Sequence, residues 1–156
     1  MKFLSDFLSD ITAMYSAVTI KTVFKSFFNP SMHACFLIRL SVACKYKFLH
    51  IIVRNLLITK HSIDIGFGAV IGKSLLLPHP IGIVIGQGVI IGNNVKIFQN
   101  CTLGDKEGYP QIENFCVIYP NSVLVGKILV GESSIVGANT FLDKDIESKS
   151  KYYGRT

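Results

Sequence analysis

A parallel β-helix of about four coils, preceded by an α-helical lobe, is the architecture that the 156-residue sequence predicts. Three features carry the prediction. Leu, Ile or Val opens a short unit thirteen times, at Ile65, Ile71, Leu77, Ile85, Ile91, Ile97, Leu103, Ile112, Ile118, Leu124, Val130, Val136 and Leu142. The fifth place of the unit is mostly small or β-branched (Ala69, Val89, Val95, Cys101, Cys116, Ser122, Ser134, Thr140), a size that stacks inside a narrow coil. Gly follows seven starts, at Gly66, Gly72, Gly86, Gly92, Gly104, Gly131 and Gly137, where a sharp corner is expected to need backbone angles that a Cβ obstructs.

Three units make one triangular turn, and each coil buries its apolar row only against its neighbours. Most units are six residues long, but two are not. LPHPIGIV, from Leu77 to Val84, has two extra residues, and LGDKEGYPQ, from Leu103 to Gln111, has three. Interruptions of a repeat map to loops, and loops carry function.

The chain divides into a helical lobe over 1–60, the repeat over 61–147 and a tail over 148–156. An apolar content of 49% is ample for a core. Residues 1–63 hold eight Lys and Arg against two acids, whereas residues 64–156 hold eight of each, so the net charge of +6 sits on the lobe. Four cysteines without C-x-x-C spacing, two of them at inward repeat positions, read as reduced core residues of a cytoplasmic protein, with no disulfide or metal site. Asp6 and Asp10 interrupt the first apolar stretch, so no signal peptide is expected. Arg39, Lys45, Lys47 and Arg54 interrupt the most apolar region, which excludes a membrane span.

Within the lobe, Phe3, Leu4, Phe7, Leu8, Ile11, Met14, Tyr15 and Val18 recur at helical steps with Ser5, Asp6, Ser9 and Asp10 opposite, predicting an amphipathic helix. Asn29-Pro30 breaks the chain, and Ser31 is expected to cap a second helix running towards Ile58. Its cations include Lys21, Lys25, Arg39, Lys45, Lys47, Arg54 and Lys60. Two readings stand for this basic, apolar lobe: packing on the first coil with its cations solvated, or peripheral contact with an anionic inner-membrane face or a lipid-linked acidic glycan. Nucleic acid is disfavoured, because no recognition motif accompanies the charge.

The segment from Ile63 to Gly104, with Asp64 and the element H-P-x-G-I-V-I-G that begins at His79, resembles the catalytic region of serine acetyltransferases and of polysaccharide O-acetyltransferases related to them. A second stretch, from Pro110 to about Leu142, resembles them too, with weaker similarity through His33-Ala34 and Arg39. The resemblance implies a left-handed coil, contrary to the usual crossover rule, and a homotrimer with active sites between subunits. It implies acetyl-CoA as co-substrate, His79 as general base and Asp64 as its hydrogen-bonding partner. The chemistry is self-consistent: a neutral imidazole takes the proton of an acceptor hydroxyl as it attacks the thioester, while a carboxylate holds the tautomer. His33, His50 and His61 have no comparable context and read as structural or exposed. Gly104 and Ala138 match positions bordering the pantetheine arm, Tyr119-Pro120 replaces a Gly-Ala pair there, and Lys144, Lys149, Lys151 and Arg155 are candidates for the nucleotide phosphates.

The acceptor expectation rests on departures. Serine acetyltransferases carry Asp before the catalytic His and an Arg-His pair before the loop proline. Pro78 and Gly108-Tyr109 stand there instead, so a zwitterion lacks its charged clamps. Tyr109 suits stacking on a sugar face, and with Pro78 it is the expected acceptor contact. The expectation is therefore an O-acetyltransferase acting on a hydroxyl of a bacterial surface polysaccharide, a glycan acceptor. Serine O-acetyltransferase is the enzymatic alternative, and a non-catalytic β-helix scaffold the other.

Overall fold

The structure is a computed structural model and describes residues 2–154. Four helices precede the strands: α1 (Lys2–Tyr15), α2 (Ile20–Phe28), α3 (Pro30–Ala43) and α4 (Lys47–His61). The single second helix expected from Ser31 to Ile58 is two, because Cys44 and Tyr46 adopt extended backbone and break it. Asn29, not Ser31, is the cap of α3. Its side chain accepts from the Ser31 and Met32 amides at 2.9 and 3.4 Å, with Pro30 in the first turn where its missing N–H is not needed. The Ser31 hydroxyl is thereby free to donate to the Leu77 carbonyl of the first coil.

Thirteen short strands form three parallel sheets, one on each side of a prism. The first contains β1 (Asp64–Ile65), β3 (Val84–Ile85), β6 (Thr102–Gly104), β9 (Val123–Val125) and β12 (Phe141–Leu142). The second contains β2 (Val70–Ile71), β4 (Ile90–Ile91), β7 (Gln111–Ile112) and β10 (Leu129–Val130), and the third β5 (Lys96–Ile97), β8 (Val117–Ile118), β11 (Ile135–Val136) and β13 (Lys151–Tyr152). Register steps by one coil, with Asp64 beside Val84 and Ile65 beside Ile85, so identical sequence places lie one above another. All thirteen unit starts are buried, and so are all eight of the small fifth-place residues. The repeat is thus the core.

The glycines after the starts have a different cause from the one expected. None of the seven has positive φ. A Cβ at Gly72 would lie 2.5 Å from the Gly92 carbonyl, and one at Gly131 2.7 Å from the Glu147 carbonyl carbon. Close approach of the next coil, not an unusual angle, excludes the side chain there. The left-handed backbone positions are occupied mainly by polar residues, among them Asn94, Asn100, Asn121 and Asn139, which adopt that region at modest cost.

The lobe meets the first coil through what the sequence marks as the polar side of α1. Asp6 and Asp10 are buried, and Asp10 pairs with a buried Arg39. Arg39 Nε and Nη2 each donate to the Asp10 carboxylate at 2.8 Å, Nη1 donates to the Ile71 carbonyl at 3.0 Å, and Nη2 also reaches the Gly72 carbonyl at 2.6 Å. The Leu75 amide completes the knot on Asp10 at 2.8 Å. One ion pair therefore fastens α1 and α3 to the corner after β2. Apolar side chains are left outside on α2, where Ile20, Phe24, Phe27 and Phe28 are exposed. Among the described residues no helix is long and apolar enough to cross a membrane.

Candidate active site

His79 stands at the corner between the third and first sheets, in the interrupted unit that leads into β3. Its ring is exposed. The same corner recurs in the coils above as Phe98–Cys101, Tyr119–Ser122 and Gly137–Thr140. It is held in line by Asn100 donating to the Ile81 carbonyl (2.9 Å), Asn121 to Gln99 (3.1 Å) and Asn139 to Pro120 (2.9 Å) through their backbone amides. The side chains of Asn100, Asn121 and Asn139 form a second ladder, at 3.2 and 3.0 Å. Gly82 takes the matching place in the first coil with φ +67°, where a Cβ would collide with Asn100. That glycine lets the longer unit close against the regular coil above it.

Aromatic rings follow this corner. Phe98 lies 6.3 Å from His79 between ring centroids, and Tyr119 stacks on Phe98 at 5.1 Å with planes 6° apart. Tyr119, Pro120 and Ala138 therefore share one edge with His79, and all but the half-buried Pro120 are exposed. Gly104 lies on the adjacent sheet at the end of β6, beside Val125. Lys144 is held over the Tyr152 ring at 5.2 Å, Lys149 and Lys151 are exposed at the far end, and Arg155 lies outside the described residues. Pro78 is half-buried next to His79.

Asp64 opens the first sheet beside Val84, so it borders the strand that follows the His79 loop. Its carboxylate is engaged by Arg54 from α4, whose Nε donates at 2.5 Å and Nη2 at 2.7 Å. The Arg54 guanidinium holds the Asp64 carboxyl below the usual carboxylate range, outweighing its partial burial. Within the chain Asp64 and His79 form no hydrogen bond. The Arg54 partnership was not legible in the sequence, because ten residues across a helix-to-strand turn follow no motif.

Around this pair lies a cleft of about 370 Å³ lined by Lys47, His50, Arg54, Asp64, Gln87 and Tyr109, among others. The half-buried Tyr109 ring covers the backbone of Gly86 and Gly88, where any Cβ would strike it. One face of the ring is thus laid on the preceding coil. His50 is buried with Nδ1 2.9 Å from the Ser41 hydroxyl, a structural contact. His33 and His61 join Nδ1 to Nε2 at 2.7 Å, and burial together with the His33 charge pushes His61 down from its ordinary range. Cys101 and Cys116 point into the coil, and burial pushes both thiols up, which disfavours thiolate nucleophiles.

No protein-family model matches the chain. It is similar to the serine acetyltransferase of Helicobacter pylori, with 32% identity over 135 residues that span 80% of this chain and 78% of the relative. The chain belongs to the serine acetyltransferase family. The plasmid-borne family member of Synechococcus elongatus is 38% identical over 56% of this chain and 32% of its own length, and that of Bacillus subtilis 36% identical over 59% and 45%. The chain thus spans less than half of these two relatives. Among solved structures, serine acetyltransferase isoform 3 of Entamoeba histolytica in complex with cysteine superposes with a TM-score of 0.80 at 26% identity, over 99% of this chain and 59% of that one. A serine acetyltransferase in complex with CoA shares the fold at TM-score 0.89 and 23% identity, over 98% and 67%.

Membership in the serine acetyltransferase family overturns the expectation of a surface-polysaccharide acceptor. That expectation rested on Pro78 and Gly108-Tyr109 in place of charged clamps and on Tyr109 as a sugar platform. Charged groups absent from those loop positions are present on α4.

Proposed function

We propose that this chain is an acetyl-CoA-dependent serine O-acetyltransferase of the cytoplasm. The observation that carries the reading is the match along 78% of a serine acetyltransferase, over a stretch too long to omit either Asp64 or His79. His79 takes the proton of the serine hydroxyl as its oxygen attacks the thioester carbonyl. The tetrahedral intermediate then expels the CoA thiolate, which recovers that proton from the imidazolium, leaving O-acetylserine and CoA. Backbone amides at the coil corner suit the oxyanion. Asp64, kept ionised by Arg54, supplies the negative charge that favours the imidazolium. Acetyl-CoA is assigned to the edge formed by Phe98, Tyr119, Pro120 and Ala138, with Gly104 beside it and Lys144 towards the phosphates.

A homotrimer with sites between subunits belongs to this reading. Its support is the exposed apolar side chains at outward strand places, Val70, Ile90 and Leu129 in a row on the second sheet and Phe141 on the first, which a lone β-helix leaves in water. Peripheral membrane contact by the basic lobe is not part of it. The test follows CoA release with acetyl-CoA and L-serine. Turnover that saturates in L-serine is expected, and an enzyme that hydrolyses or ignores acetyl-CoA in its presence overturns the assignment.

Asp64→Asn is expected to lower kcat by roughly 10- to 100-fold at every pH from about 6 to about 9. The sign follows from its depressed pKa: the carboxylate is charged throughout that range and loses its charge, with the stabilising contact to Arg54, only as the pH falls below the carboxylate range. An Asp64→Asn variant that keeps the wild-type kcat across that range would remove the carboxylate from the chemistry.

A further inference from the structure

An α-amino acid acceptor brings a carboxylate that must meet a cation or stay hydrated, and Pro78, Gly108 and Tyr109 offer none. The cleft beside β1 does. Arg54 reaches it from α4 at one wall, with Lys47 two turns earlier on the same helix, while Tyr109 lying on Gly86 and Gly88 makes the opposite wall. Arg54 spends two of its donor bonds on Asp64, and a guanidinium has five. Its remaining N–H groups are held by that bidentate contact in a fixed plane, as recognition of a second carboxylate requires. Lys47 has no ion-pair partner among the described residues. Val84, which ends the unit carrying His79, also lines the cleft.

We infer that the Lys47–Arg54 cleft binds the α-carboxylate of the amino-acid acceptor, replacing clamps that other family members place in the two loops. The inference rests on the serine reading above. In that role Arg54 has two carboxylate partners, one permanent in Asp64 and one brought by the substrate, and Lys47 adds charge at the outer end. Specificity then comes from α4, an element that the repeat pattern does not describe.

Kinetics with L-serine and L-serinamide separate the possibilities, since the two differ only in the carboxylate. The full chain is expected to prefer L-serine in kcat/KM by about 10- to 100-fold. Arg54→Gln should collapse that ratio towards unity, mainly by raising KM for L-serine, Lys47→Met should reduce it in part, and Arg54→Lys should recover some of it. If Arg54 serves only to hold Asp64, Arg54→Gln instead lowers kcat for both acceptors equally and leaves the ratio intact, which overturns the clamp. A wild type that acetylates L-serine without preferring it over the amide overturns the clamp alone. A wild type inert towards L-serine overturns the proposed function and the clamp with it.

Discussion

Replacing His79 by alanine is expected to lower kcat/KM for acetyl transfer to L-serine by about 10²- to 10⁴-fold, the range in which a positioned general base contributes. The loss should fall on kcat with little change in KM for acetyl-CoA, because the imidazole acts on the hydroxyl proton and not on cofactor binding. The structure makes this a clean experiment. The ring is exposed at a corner, forms no side-chain hydrogen bond within the chain, and lies beside Phe98 with ring centroids 6.3 Å apart. The coil is held there by other groups: the Asn100 and Asn121 backbone contacts, the Ser31 bond to Leu77, and the buried Leu77 and Ile83. A surface change of this kind alters stability by only about 0.5 kcal/mol. The melting temperature should therefore be kept while activity is lost, and turnover near the wild-type rate would remove His79 from the chemistry.

How far the site could be read in advance depends on whether a residue's partner lies at repeat spacing. Partners one coil apart share a place in the unit, so the buried rows of starts and fifth places, and the corner bearing His79, were open to pattern reading. Partners joined by tertiary contact were not. Nothing in the sequence places Tyr109 on Gly86 and Gly88 of the preceding coil. Arg54 is one of eight cations scattered through the lobe and acquires meaning only when α4 lays it against Asp64. The same limit misassigned α1. Ser9 and Asp10 read as a solvated stripe, yet Ser9 accepts the Ser74 amide at 2.9 Å and Asp10 faces Arg39. An amphipathic pattern identifies two faces, but which one is inside depends on what the other element brings, and here it brings a cation and bare corner amides and carbonyls.

Arg39→Met should therefore be the most destabilising single change in the chain, costing roughly 3–5 kcal/mol, because it leaves the Asp10 carboxylate buried without its cation. The cost is larger than that of the ion pair alone. Arg39 also satisfies the Ile71 and Gly72 carbonyls at the corner after β2, and methionine of similar length returns the volume but none of the donors. Asp10→Asn should cost less, since a carbonyl oxygen can still accept from Arg39 and from the Leu75 amide, although a charge is then buried unpaired on the arginine. Combining Arg39→Met with Asp10→Leu removes both charges and should recover part of the loss, the signature of coupling rather than of two independent sites. Urea unfolding of Arg39→Met, Asp10→Leu and the double variant against the parent chain measures the cycle. Hydrogen exchange locates it, with α1 and α3 losing protection before the coils, because the knot joins the lobe to the β-helix and does not run through the repeat. An Arg39→Met variant within about 1 kcal/mol of the wild type would mean that the Ser31–Leu77 and apolar contacts dock the lobe unaided, and that the buried pair sets its orientation rather than its stability.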